Sequence, residues 1–214
     1  MAQSYAASVQ GAAIRVTKLN SNGTTASGVS ASYILNSFIR VSFTPEYEEG
    51  EEITERSADG SVCVTFKSPD TLKRVNLELA ICNPDPEFTA MVSGGDLLVD
   101  AGQSVGWASP LVGVDANPSG NSLEVWSYAV ANGTRAGVNP YFRWLFPYVQ
   151  LRPTGERVVE NGLMANTFEG FGVGNAAFGN GPQNDWTFVS DRAYAYARSA
   201  TAPIGINGYQ TALA

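Results

Sequence analysis

Residues 38–67 read FIRVSFTPEYEEGEEITERSADGSVCVTFK, and they carry the most informative pattern of the chain. Its two ends, residues 38–44 and 61–67, alternate between apolar and polar side chains, a period of two that is typical of half-buried β-strands. The residues on the apolar faces are Ile39, Val41, Phe43, Val62, Val64 and Phe66. The residues on the polar faces are Arg40, Ser42, Thr44, Cys63, Thr65 and Lys67. The stretch therefore predicts two strands of a mainly β fold.

Between these strands lies an acidic segment, residues 46–60. Its glutamates are crowded into the first ten positions: Glu46, Glu48, Glu49, Glu51, Glu52 and Glu55. Arg56 and Asp59 complete the charged residues of the segment. Because unpaired charges are costly to bury, the segment must stay in water or lie against a partner or a solvent-filled channel. We therefore expect a long inter-strand loop that projects from the domain.

The length of 214 residues, with 44% hydrophobic and 15% charged residues, predicts one globular domain spanning residues 1–214. The formal net charge of −7 disfavours tight binding to nucleic-acid phosphates, which bind to Lys and Arg. No segment approaches the roughly 20 apolar residues that cross a membrane, so we expect no membrane partner. Residues 1–10 lack the basic start and apolar run of a signal peptide, and we expect them to be a mobile segment.

Further elements follow from the same kinds of pattern. We expect additional strands at residues 11–19, 71–82, 104–112, 123–131, 141–151 and 192–200. Pro147 makes the aromatic strand at 141–151 an edge strand or a bent one, since proline has no N–H for a sheet ladder. One helix is expected at residues 84–94, where proline and acidic residues begin the segment and glycines follow it. Residues 155–214 are expected to form an elaborated C-terminal region.

The sequence carries no catalytic or cofactor signature. It has no histidine, which excludes Ser-His-Asp and Cys-His arrangements and mixed Cys-His zinc sites. Cys63 and Cys82 lie among apolar neighbours, and we interpret them as buried thiols and not as a disulfide. The Gly-x-Gly-x-Gly run at residues 170–174 follows no convincing strand, so we interpret it as a tight or flexible loop. We therefore expect no cofactor, no metal and no enzymatic activity.

Two stretches carry a family resemblance. They are SVCVTFKSPDTLKRVNLELAICNPDPEFTAMVSGG, residues 61–95, and FRWLFPYVQLRPTGERVVENGLMANTFEGFGVGNAAFGNGPQNDW, residues 142–186. With the order strand, acidic loop, strand that precedes them, they resemble the major tail tube proteins of long-tailed, siphovirus-type bacteriophages, especially those of actinobacteria. The resemblance covers residues 35 to 190 and rests on the texture and order of segments.

The resemblance implies a fold and an assembly. Tail tube proteins form a small β-sandwich or partly open barrel flanked by one helix. They stack as hexameric rings into a hollow tube around a tape measure protein, with tail terminator and tail-tip proteins at its ends. On that template, residues 38–44 and 61–67 form the inner wall, residues 46–60 form an arm that reaches the next ring, and residues 84–94 form the flanking helix.

The same resemblance implies a place in the virion. The protein would be made in the cytoplasm of the host bacterium and would end in the phage tail, where DNA passes through the tube without specific binding. An acidic lumen repels phosphates and lets DNA slide. The glutamates could instead pair with basic residues at ring junctions, for which the candidates are Arg135, Arg143, Arg152 and Arg157.

Two alternatives stay open. A carbohydrate-binding or glycan-cleaving β-sandwich could use tryptophans and scattered carboxylates, and the candidates are Trp107, Trp126, Trp144, Trp186, Glu124, Glu156, Glu160, Glu169 and Asp185. Another virion protein, such as a capsid decoration or tail terminator protein, would have a similar composition.

Overall fold

The computed structural model describes residues 6–115, 117–155, 166–186 and 191–213, and these residues form a mainly β structure with one helix. The elements in chain order are β1 (Ala7–Lys18), β2 (Gly28–Leu35), β3 (Phe38–Glu48), β4 (Glu52–Arg56), β5 (Val62–Lys67), β6 (Thr71–Ile81), α1 (Pro86–Ser93), β7 (Asp96–Asp100), β8 (Gln103–Ala108), β9 (Asn121–Ala131), β10 (Thr134–Arg135), β11 (Tyr141–Thr154), β12 (Asn166–Val173), β13 (Ala195–Ser199) and β14 (Gly208–Ala212).

One large antiparallel sheet dominates the described chain. Its strands follow the order β14-β2-β1-β9-β11-β12-β6-β3, with β10 beside β9 and β13 beside β11. The sheet does not close on itself, so β3 and β14 are its edge strands. Two hairpins, β4–β5 and β7–β8, are separate small sheets.

The large sheet folds over to enclose a core between two layers. Phe43 of the edge strand β3 packs on Trp144 and Phe146 of β11, with ring centroids 5.1 and 5.2 Å apart. Because β6 and β12 separate β3 from β11 within the sheet, this contact requires the two halves to face each other. The predicted β-sandwich with one flanking helix is confirmed.

The strand and helix after the acidic segment were predicted correctly. The alternate residues of β6, which are Val75, Leu77, Leu79 and Ile81, are all buried in the core. Helix α1 begins after Asp85, whose carboxylate accepts a hydrogen bond from the N–H of Phe88 at 2.9 Å. Its apolar stripe is also buried in the core, which explains why this short helix is stable.

Pro147 lies inside the sheet and not at its edge. Strand β9 flanks one side of β11, while on the other side β13 pairs with residues 141–145 and β12 pairs with residues 148–154. Pro147 falls between these two partners, where the register with β9 also shifts. Pro147, which has no N–H, therefore lies where the hydrogen-bond ladder is interrupted. Of the two options predicted, an edge strand or a bent strand, this corresponds to the bent strand.

The C-terminal region covers the outer face of β1, β9 and β11. Phe178 and Trp186 pack against Leu19 and Leu145 in a second buried cluster. Strand β14 follows β13 and forms an edge of the sheet, so β13 is not the closing strand expected at residues 192–200. Residues 156–165, 187–190 and 214 of the predicted elaborated region lie outside the described residues.

Further sequence expectations differ from the structure. Residues 1–5 of the segment expected to be mobile lie outside the described residues, whereas residues 7–10 belong to β1, where Ala7 pairs with Val130. Both cysteines are free thiols as expected, but Cys63 is exposed and Cys82 is half-buried. Cys63 is exposed because both faces of its strand β5 lie outside the core. The glycine-rich run at residues 170–174 begins within β12 and is not wholly a loop.

The position of Gly170 in β12 has a packing reason. A Cβ atom on Gly170 would lie 1.8 Å from the carbonyl oxygen of Gln150 in the neighbouring strand β11. The two backbones approach too closely for any side chain, so glycine is required within the strand.

Candidate functional site

The acidic segment is the far end of one long hairpin and not a 15-residue loop. Strands β3 and β6 pair as far as Glu48 and Thr71, and β4 then pairs with β5 beyond them. Six acidic or apolar residues of the expected loop are therefore in strands: Glu46, Tyr47 and Glu48 in β3, and Glu52, Ile53 and Glu55 in β4. The sequence did not predict these strand residues, because the many glutamates mask the apolar–polar alternation that is typical of a strand. We call residues 52–67 the arm.

The tip of the arm is a structured turn. The N–H of Ser57 donates to the carbonyl of Ser61 at 2.8 Å, and Gly60 adopts a left-handed φ of 85°. The carboxylate of Asp59 accepts hydrogen bonds from the hydroxyl and N–H of Ser61, which lower the pKa of Asp59. Arg56 donates to the carbonyl of Gly60 at 3.1 Å. Arg56 and Asp59, predicted as interface residues, thus hold the turn of their own chain.

At its base, the arm bends away from the large sheet at Gly50. The N–H of Gly50 donates to the carboxylate of Asp70 at 3.0 Å, and the N–H of Ser68 donates to the carbonyl of Glu51 at 2.9 Å. A Cβ atom on Gly50 would lie 1.8 Å from the carbonyl oxygen of Ser68. The crossing of the two chains at this bend therefore needs glycine.

Glu46 is engaged within its own subunit. Its carboxylate accepts hydrogen bonds from Arg74 Nε at 2.7 Å and from Asn76 Nδ2 at 3.0 Å, and Lys73 Nζ lies 3.7 Å away. The hydrogen bond from Arg74, followed by that from Asn76, lowers the pKa of Glu46. This cluster fastens β3 to β6 just before the arm begins.

The arm exposes an apolar stripe that its own subunit does not cover. All residues of β4 and β5 are exposed. On one face, Ile53 lies opposite Phe66 and Glu55 lies opposite Val64. The exposed fractions of the apolar residues are 46% for Ile53, 50% for Val62, 53% for Val64 and 56% for Phe66. Contiguous exposed apolar residues of this kind mark an interaction surface.

The two strands predicted to form an inner wall lie in different sheets. Strand β3 is an edge of the large sheet, whereas β5 belongs to the arm. In β3, Val41 and Phe43 pack against the core, and Arg40, Ser42 and Thr44 lie on the opposite face. The two strands share no sheet within one subunit because the chain continues from β3 into β4, which pairs with β5 away from the large sheet.

The polar face of β3, β6, β12 and β11 lines a cleft of about 1000 Å³. Surface ion pairs lie on this face, with Arg40 bound to Glu78 and Arg152 bound to Glu169. Its charges are therefore largely neutralised in pairs, and among the described residues it presents no basic patch that would hold phosphates.

A second, apolar cleft of about 380 Å³ opens between the edge strand β3 and strands β1, β9 and β11. Its apolar lining consists of Phe38, Val41, Phe43, Val125, Trp144 and Phe146. Exposed residues adjoin it, since Ile39 belongs to the lining and Tyr196 stacks on Trp144 with centroids 4.9 Å apart. The mouth of the sandwich is thus lined by apolar side chains that the subunit leaves partly uncovered. We call this the mouth cleft.

A buried charge cluster was missed by sequence reasoning, because its members are far apart in the chain. Glu124 accepts hydrogen bonds from Arg15 Nε at 2.5 Å, Arg143 Nε at 2.8 Å and Trp186 Nε1 at 2.9 Å. Arg143 also binds the carboxylate of Asp185 at 2.5 and 3.0 Å. Burial alone would lower the pKa of Arg143, but Glu124 and Asp185 outweigh it and raise that pKa.

This cluster fastens distant parts of the chain to one another. The Glu124 carboxylate is held between two guanidinium groups and an indole N–H, which all donate to it. Neither of the two clefts described above is lined by Glu124 or Asp185. The cluster joins residues 185 and 186 of the C-terminal region to the outer face of the sheet.

The four arginines predicted as possible partners for the glutamates lie in different environments. Arg143 is buried in the charge cluster, so it cannot meet a neighbouring subunit. Arg152 is paired with Glu169, and Arg157 lies outside the described residues. Arg135 lies over the ring of Tyr128 at 4.0 Å, exposed and without an ion pair among the described residues.

No protein-family model matches the chain, and no curated protein matches it. In the part of the chain that the structure describes, no helix is long and apolar enough to cross a membrane. Within the same residues, no cluster of three or more metal-ligating side chains is placed to hold an ion.

Proposed function

We propose that this protein is a structural subunit of a phage tail tube. It assembles with copies of itself into stacked hexameric rings, and the hollow tube holds a tape measure protein and later conducts DNA. Tail terminator and tail-tip proteins close the two ends of the tube. The subunit is made in the bacterial cytoplasm, resides in the virion tail and catalyses no reaction.

The observation that carries the proposal is the exposed arm with its apolar stripe. A hairpin whose residues are all exposed gains nothing from its own core, so its apolar side chains are best explained by contact with another molecule. The free edge of β3 adds to this, because an unpaired edge readily accepts a strand from another chain. Both features favour self-assembly.

The passage of DNA without binding agrees with the charges. The net charge is −7, and the polar face of the sheet carries its basic residues in ion pairs. Neither feature offers the row of free cations that phosphate binding by counterion release requires.

Electron microscopy across a concentration series tests the proposal. We expect stacked rings or hollow tubes from the wild-type protein and their loss in Val64→Asp, which places a charge on the apolar stripe. The matched control is Thr65→Asp, which adds the same charge to the opposite, polar face of β5 and should leave assembly intact.

Other outcomes would favour the alternatives. A single closed ring that never stacks would support a tail terminator or capsid decoration protein. Small uniform particles at every concentration, combined with binding on a glycan array, would support a carbohydrate-binding protein.

A further inference from the structure

We propose that the mouth cleft receives the arm of a second copy of this chain. The inference rests on the proposed function, because it names the surface that the arm contacts during self-assembly. We identify the partner by its chemistry. The cleft suits a β-strand that carries an apolar stripe and acidic neighbours, and the arm of this chain is such a strand.

The two surfaces match in chemistry. The arm offers Ile53, Val62, Val64 and Phe66 without any cover in its own subunit. The mouth cleft offers aromatic and aliphatic walls, with Ile39 53% exposed and the adjoining Tyr196 60% exposed. Burial of both sets of apolar side chains in one contact would remove them from water together.

The backbone also provides for this contact. Among the described strands, β3 pairs with β6 alone, so its other edge leaves N–H and C=O groups unpaired along the cleft. An arm strand that enters the cleft can pair with this edge, which is the recognition mode known as β-augmentation. Main-chain hydrogen bonds would then hold the arm while the apolar stripe fills the cleft.

An arm cannot enter the mouth cleft of its own subunit. The cleft is lined by residues 38–43 of β3, whereas the arm departs beyond Glu48 at the other end of the same strand. Phe43 and Glu48 are separated by about 17 Å, since strands rise roughly 3.3 Å per residue. The occupant must therefore come from another copy.

This placement is compatible with a repeating assembly. Donor and acceptor are different surfaces at opposite ends of one β3–β6 hairpin, so a contact that is repeated from copy to copy is head-to-tail. Head-to-tail contacts generate closed rings or open stacks, depending on the rotation between copies. Such contacts are those that a tube requires.

Charge is complementary across the same contact. Arg198 lies over Phe142 at 5.9 Å and donates to the carbonyl of Asn139, with no ion pair among the described residues. It lies two residues along β13 from Tyr196, whose ring stacks on Trp144 of the mouth cleft. On the arm, Glu52 and Glu55 likewise have no ion pair within the described chain.

Disulfide cross-linking between two preparations tests the inference. Both preparations carry Cys63→Ser and Cys82→Ala, which remove the native thiols. The first preparation adds Val64→Cys on the apolar stripe of the arm. The second carries a mass tag and adds Ile39→Cys at the cleft. A disulfide forms only when Cβ atoms approach within about 4.5 Å. After mixing and mild oxidation, we expect a mixed dimer of distinctive mass. The matched control replaces Val64→Cys with Thr65→Cys on the opposite face and should give little of it.

The possible failures are distinguishable. If microscopy shows tubes but Val64→Cys and Thr65→Cys cross-link equally or not at all, the arm contacts another surface, and only this inference is overturned. If sedimentation shows monomers at every concentration and no cross-link forms, the proposed function falls together with the inference. Loss of tubes in Ile39→Asp, with an unchanged circular dichroism spectrum, would support the cleft independently.

Discussion

At the scale of single residues, Glu124 has the largest energetic consequence. Its carboxylate is fully buried between Arg15 and Arg143 and also accepts from the indole of Trp186. Burying such a cluster of charges is costly because each charge loses its water. Removal of one partner then lowers the free energy of unfolding strongly, because the remaining charges stay buried without compensation. The cluster therefore makes the docking of the C-terminal region specific, because Asp185 binds Arg143 and the indole of Trp186 donates to Glu124.

We expect Glu124→Gln to destabilise the protein by about 3–5 kcal/mol, because two buried guanidinium groups would lose their shared counter-charge. Urea denaturation followed by tryptophan fluorescence measures this. The control is Glu169→Gln, whose partner Arg152 is exposed at the surface, and it should cost less than about 1 kcal/mol. Equal effects of the two substitutions would contradict the account of Glu124 as a buried fastening.

At the scale of elements, sequence patterns predicted what depends on neighbours in the chain. The alternation in β6 and the proline, acidic residue and glycine signals of α1 are local, so both elements were found within one or two residues of their bounds. The charge cluster could not be predicted, because Arg15, Glu124 and Asp185 meet only through the order of strands in the sheet. Half of the predicted interface residues lie on the arm, namely Glu52, Glu55, Arg56 and Asp59. Glu46, Arg56 and Asp59 serve internal contacts.

The base of the arm should respond to acid through Glu46. Its pKa is lowered from an ordinary value of 4.5 by the hydrogen bond from Arg74, so its contribution is present above pH 4.5 and is lost as the pH falls through the lowered pKa. A carbon-13 NMR titration of the Glu46 carboxyl should give a midpoint below 4.5.

Replacement of the donor should reverse that shift. In Arg74→Gln, we expect the Glu46 midpoint to rise toward its ordinary value, because the strongest donor to the carboxylate is removed. Arg152→Gln removes an arginine from the same polar face without touching Glu46 and serves as the control. A midpoint that is the same in both variants and the wild type would show that Arg74 does not set the pKa.

At the scale of the whole molecule, the subunit covers one side of the sandwich and leaves the other side partly uncovered. The outer face of β1, β9 and β11 is covered by the C-terminal region, whose Trp186 is buried against Leu145. The opposite side leaves a free edge, an open mouth and a bare arm. Under the proposed assembly, the uncovered side is the surface that other copies would cover.

Removal of the arm separates folding from assembly. Residues 49–70 can be replaced by Asn-Gly, which joins the paired residues Glu48 and Thr71 through a two-residue hairpin turn. Because every residue of β4 and β5 is exposed, we expect the free energy of unfolding to change by less than about 0.5 kcal/mol, as for other surface changes. The same variant should remain monomeric in sedimentation at concentrations where the wild type forms tubes. A loss of several kcal/mol would mean that the arm supports its own core. Tubes that persist without the arm would move the assembly surface to the second exposed hairpin, β7–β8, whose Leu98, Val99 and Val105 are also uncovered.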